Sequence, residues 1–246
     1  MSAGVVLRLA IVAILVVFLA QPDWFVPIFA PLTQPGQAPI YTQNSLLTLT
    51  INHVAIVAVA TFAGSLVAVG LAIVVTRPSG REFLPLSRTL ANIGQTFPPV
   101  AVLALAVPLL GFGTAPTVLA LFLYGLLPIF ENALTGLTTV PADVVEAATG
   151  SGMTGGQRLW QVELPLALPL ILAGIRISTV IAIGTATIGS TVAASTLGEA
   201  IIAGLINSNL AFIAEGALCV GVIAILVNDA FLALERRITP ARSRDI

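Results

Sequence analysis

The sequence has no lysine, one histidine and one cysteine, and only 9% of its 246 residues are charged. Each scarcity closes off a class of function. Without lysine no G-x-x-x-x-G-K-[ST] loop exists, so the chain lacks that means of holding a nucleotide. The glycine-rich "GSGMTGG" (150–156) follows no predicted strand and is rejected as a phosphate loop. Cys219 cannot form an intrachain disulfide, and its apolar surroundings predict a small buried core residue. No ligand cluster surrounds His53, which is expected to be a packed polar residue rather than a metal ligand. No nucleophile or acid–base constellation supports an enzyme, and a net charge of −1 gives no pull toward nucleic acid.

Soluble domains carry about 25% charged residues. With 57% hydrophobic residues and a mean hydropathy of +1.05, this chain is predicted to lie in lipid. A bilayer core takes about 20 apolar residues per helix. Six spans are predicted: Val5–Ala20, Val54–Val75, Asn92–Leu110, Thr117–Phe130, Pro169–Thr191 and Ala211–Leu234. "GFGTAP" (111–116) turns the third into the fourth. An uncleaved first helix is expected, because Phe18 stands where a signal-peptide cleavage site needs a small residue.

The ten arginines are Arg8, Arg77, Arg81, Arg88, Arg158, Arg176, Arg236, Arg237, Arg242 and Arg244. With both termini in the cytoplasm, all fall on or near the cytoplasmic side, as the positive-inside rule requires. The intervening loops 21–45, 111–116 and 192–210 hold none. This divides the chain into an N-terminal helix and outer loop (1–44), a transmembrane domain (45–236) with an inner loop at 135–168, and a cytoplasmic tail (237–246).

That inner loop, "EAATGSGMTGGQRLWQVELP" (146–165), is the longest polar stretch. Pro141 and Asp143 suit the first turn of a helix, "ADVVEAATG". Gly150 and Gly152 end it. Thr154 and Gln157 have the spacing of a capping box, so a second helix begins there and runs through Arg158, Leu159, Trp160 and Val162 into span five. Two short helices at a glycine bend make either a surface loop anchored by Trp160 or a docking element for a cytoplasmic partner.

Glu146-Ala147-Ala148, three residues, Gly152, nine residues, Val162, Glu163 and Leu164-Pro165 resemble the signature of bacterial ABC importer permeases. That signature reads E-A-A, three residues, G, nine residues, I, one residue, L-P, and Val162 for isoleucine is the departure. The stretch 131–179 and "TIGSTVAASTLGEAIIAGL" (187–205) resemble the osmoprotectant branch, whose substrates are glycine betaine, choline, carnitine and proline betaine. The resemblance implies an all-α membrane protein with a methionine-permease-like fold and a cytoplasmic coupling helix. It implies a transport subunit rather than an enzyme, in the inner membrane, working with two ATPase subunits, a second permease chain and a substrate-binding protein. ATP and Mg would sit on the ATPase, with no cofactor on this chain. ATPase coupling would involve Asp143, Glu146, Ala147, Ala148, Gly152, Arg158, Leu164 and Pro165. Glu146 would offer its carboxylate, the alanines would allow close approach, Gly152 would make the bend and Leu164-Pro165 would fix the start of span five. The alternatives are a permease for another small solute such as methionine, or a stand-alone channel or carrier.

Asn92, Gln95, Thr96 and the Phe97-Pro98-Pro99 break make span three either a path lining or a polar helix interface. Glu131, Arg176 and Asp229 lie near span ends, where Arg176 is expected to pair with Glu131 or Asp229, or else to snorkel. Residues 195–209 are predicted to form an outer amphipathic helix with Leu197, Ile201, Ile202 and Leu205 on its apolar side. That helix is either a docking mouth or an interfacial helix in contact with membrane lipid.

Overall fold

A computed structural model describes residues 3–238. Residues 239–246, which include Arg242, Arg244 and most of the expected tail, lie outside the described residues. Every regular element among the described residues is helical. Four helices are long and apolar enough to cross a membrane, or six if each of two broken pairs counts as one span. The chain forms two compact units.

The first unit comprises residues 1–59, 98–121 and 180–228. Its helix α1 (Ala3–Ala20) turns by 111° into the helical segment Pro22–Leu32. The sequence predicts a loop there. Pro22 starts the segment, where a missing N–H costs nothing, and Phe18 packs on Phe25 and Phe29 with ring centroids 4.9 and 5.5 Å apart. Residues 33–45 are then strapped down. Gln37 Nε2 donates to Asn207 O at 2.8 Å, Asn209 Nδ2 to Ala38 O at 2.9 Å, and Asn44 Nδ2 to Glu199 at 2.6 Å. Burial raises the Tyr41 phenol above its ordinary range, and the Glu199 carboxylate adds to the effect.

The helix α2 (Leu46–Thr76) carries His53 fully buried, with Nε2 2.9 Å from Ile183 O. Among the described residues no metal-binding cluster occurs. The expected third span is two helices, α3 (Leu84–Thr96) and α4 (Pro99–Leu110), because Phe97 is extended before Pro98. The first unit holds α4, which packs Leu103 with Ala120 and Val192.

Toward the end of the chain the same unit holds α9 (Gly198–Ile206) and most of α10 (Leu210–Ile238). Leu197 is fully buried, but Leu205 is 64% exposed, against the expected stripe. The buried face of α9 is made instead by Gly198, Ala200 and Gly204. A Cβ on Gly204 would come within 2.7 Å of Asn209 O, so this tight corner demands small residues rather than large apolar ones. The α10 residue Glu215 is fully buried and accepts the Tyr41 N–H at 3.2 Å, a contact that no sequence pattern signals.

The second unit comprises residues 60–97, 122–179 and 229–246. It holds α3, most of α5 (Thr114–Thr138), α6 (Ala142–Gly150), the one-turn α7 (Gly155–Arg158) and most of α8 (Leu164–Thr185). Its core is Ala68, Ala72, Ala91, Ile129, Phe130, Ala133, Ala167 and Ile171. So many alanines allow close helix approach, which drives association where lipid supplies no hydrophobic force. Gly174 of α8 sits at a close approach, since a Cβ there would lie 2.7 Å from Asn132 Cβ and 2.9 Å from Pro128 O.

Candidate functional site

Pro141 caps α6, and Asp143 sits in its first turn beside the positive end of the helix dipole. Asp143, Glu146, Ala147 and Gly150 are all exposed, at spacing i, i+3, i+4, i+7. They therefore form one open face. Ala148, also expected to take part in coupling, is 7% exposed. The last carbonyls of α6 are met by the N–H groups of Ser151, Gly152 and Met153. Gly152 takes φ +82°, a left-handed turn that suits glycine.

The capping box forms as spaced. Thr154 Oγ1 accepts the Gln157 N–H, and Gln157 Oε1 accepts the Thr154 N–H at 2.8 Å. Beyond α7 comes a π turn at Leu159–Glu163, closed by Leu164 N–H on Leu159 O. Pro165 has no N–H for the carbonyl four residues back, so a regular ladder would lack one rung here. Trp160 is 71% exposed on this turn. Leu164 and Pro165 open α8, half-buried and exposed respectively.

The π turn carries the most constrained charge of the loop. Glu163 is 5% exposed and accepts from two arginines. Arg77 Nη2 reaches it from the residue after α2, and Arg158 Nε from α7 at 2.9 Å. Arg158 Nη1 also donates to Thr149 Oγ1 of α6 at 3.0 Å. Arg158 thus bonds within the loop on both sides, to Glu163 and to Thr149. A buried carboxylate is tolerable only with such pairing. The sequence singles out neither Glu163 nor Arg77 for this role. The available signal is a charge lodged between Val162 and Leu164-Pro165, but its partner Arg77 lies 86 positions away.

A second polar feature lies on α3. Arg88, Thr89, Asn92, Gln95 and Thr96 are exposed, while Ser87, Ala91 and Gly94 are buried. Gln95 Nε2 donates to Tyr124 O at 3.2 Å and Thr96 Oγ1 to Asn92 O at 3.1 Å. The Tyr124 hydroxyl donates to Phe97 O, and the Phe97 side chain is 48% exposed. Uncovered polar groups are expensive against acyl chains, so such a stripe turns to water or to another chain.

Arg88 grips Glu131 as a fork, Nε and Nη2 donating at 2.6 and 2.9 Å. Arg176 Nε donates to Glu235 of α10 at 2.9 Å, joining α8 to α10. Asp229 is half-buried on α10.

Residues 64–244 match the family described as binding-protein-dependent transport system inner membrane component. The osmoprotectant import permease protein OsmY of Salmonella typhimurium is 40% identical over 198 residues, 80% of this chain and 84% of that protein. The choline transport system permease protein OpuBB of Bacillus subtilis is 41% identical over 80% of this chain and 90% of that protein. Among solved structures, an inward-facing MetNI methionine ABC transporter chain aligns with a TM-score of 0.71 at 22% identity, covering 79% of this chain and 97% of that one. That likeness concerns the fold. Matched over most of its length and about two-fifths identical to several permeases, the chain belongs to the family of inner membrane components of binding-protein-dependent transport systems.

Proposed function

We propose that this chain forms the membrane path of an ATP-driven importer for osmoprotectants of the quaternary-ammonium class, with glycine betaine, choline and carnitine as the candidates. The substrate class is supported by the relatives, which are named as osmoprotectant, choline and carnitine permeases. The observation that carries the mechanism is the open face Asp143–Glu146–Ala147–Gly150, presented beside a glycine bend. It suits a groove on a separate ATPase, which supplies ATP and Mg. Glu146 offers a carboxylate to a basic group there, and Ala147 lets the helix approach closely. Two ATPase subunits and two permease chains make the working unit, with a binding protein delivering substrate from outside. The polar stripe of α3 then lines the path, covered by water and the second permease chain. Both termini lie in the cytoplasm, which puts the α6–α7 loop on the ATPase side.

The test is uptake of labelled glycine betaine and choline in cells lacking other carriers for them. The chain is expressed with its ATPase and binding protein. Wild type takes up at least one solute, and Glu146→Ala with Gly152→Asp abolishes uptake while the protein stays in the membrane. Wild-type uptake of neither solute, nor of carnitine, would overturn the substrate class.

A further inference from the structure

The three contacts around Glu163 tie together parts of the second unit that are distant in sequence. Arg77 follows directly on α2, Arg158 belongs to α7, and Thr149 belongs to α6. The chain of contacts therefore runs from α6 through Arg158 and Glu163 to the end of α2. Neighbouring side-chain bonds in the loop, such as Thr149 to Val145 O and Ser151 to Ala147 O, stay within one helical turn.

The π turn is what makes this chain possible. In a regular α-helix, residues 158 and 163 would point about 140° apart, at about 100° per residue. A π turn closes i→i+5, so residue 163 comes round above residue 158. That places Arg158 Nε 2.9 Å from Glu163 Oε1 while Glu163 keeps its other oxygen for Arg77. The Arg77 and Arg158 side chains are each 25% exposed and the Glu163 side chain 6%, so water screens the group poorly.

We infer that Glu163 is a positioning residue for transport: it fastens α6 to the end of α2, so that displacement of α6 moves α2. This rests on the reading that α6 docks on the ATPase. Without the fastening, ATP hydrolysis could still displace the loop, but the movement would not reach α2. The signature of this role is ATP hydrolysis that no longer drives uptake.

The test uses the whole importer in proteoliposomes, with ATP hydrolysis and labelled betaine uptake measured in the same vesicles. Glu163→Gln keeps the shape and removes the charge. Arg77→Gln cuts the tie to α2 and leaves the Arg158–Glu163 contact inside the loop. Both are expected to assemble and hydrolyse ATP, with most of the uptake per ATP lost. Glu163→Asp, which retains the charge, is expected to recover part of the ratio. An unchanged ratio in Arg77→Gln overturns the inference, even if Glu163→Gln fails to assemble. Equal loss of hydrolysis and uptake in an intact Arg77→Gln complex overturns it too. Glu146→Arg serves as the docking control. If that variant leaves both activities intact, the docking reading itself is wrong. If it removes both while Arg77→Gln leaves the ratio unchanged, only the fastening role of Glu163 fails.

Discussion

At the scale of single residues, local space places opposite demands on two glycines in these helices. Gly174 sits where a Cβ would press on Pro128 O at 2.9 Å and Ile129 Cα at 3.2 Å, backbone atoms that cannot swing aside. Gly174→Ala is therefore expected to force α5 and α8 apart, costing about 1–3 kcal/mol as overpacking does. At Gly221 of α10 an added Cβ would meet nothing within 4 Å. Gly221→Ala should be neutral or stabilising, since alanine is the better helix former by about 1 kcal/mol. Thermal unfolding of the detergent-solubilised protein checks both. A fall in midpoint for Gly221→Ala as large as for Gly174→Ala would refute the packing argument. The signature residues Glu146 and Gly152 are readable in the sequence because their spacing is local. Glu163 is not, because its meaning depends on Arg77, which only the fold brings near.

At the scale of elements, the loop shows which local rules carry over from sequence. The limits of α6 coincide with "ADVVEAATG", since a proline before it and glycines after it act within one turn. The Thr154–Gln157 box is also local, and it forms. Thr154→Ala is expected to cost about 1 kcal/mol by losing the cap, a loss that the same unfolding assay would detect. The break at Phe97–Pro98 is legible for the same reason. What is not legible is the π turn, because no periodicity marks one extra residue. The helix α9 forms as the sequence predicts but with a different buried side, one made of small residues that hydropathy scales undervalue.

At the scale of the whole molecule, the distribution of charge supports the proposed orientation. Among the described residues, the first unit holds Arg8 as its one arginine, with Asp23, Glu199 and Glu215. Arg77, Arg81, Arg88, Arg158, Arg176, Arg236 and Arg237 belong to the second. Arginine near membrane ends marks the cytoplasmic face, so the proposed orientation has the loop at Ser151 inside and the strap at Gln34 outside. Both residues are exposed. Cys219, the sole cysteine, is 1% exposed and can be replaced by alanine to clear the background. In that background Gln34→Cys should react with a membrane-impermeant maleimide applied to intact cells. Ser151→Cys should stay unlabelled until the membrane is opened. Labelling of Ser151→Cys in intact cells would invert the topology. The α6 face would then be out of reach of any cytoplasmic ATPase, and the coupling role of Glu146 and the fastening role of Glu163 would fall with it.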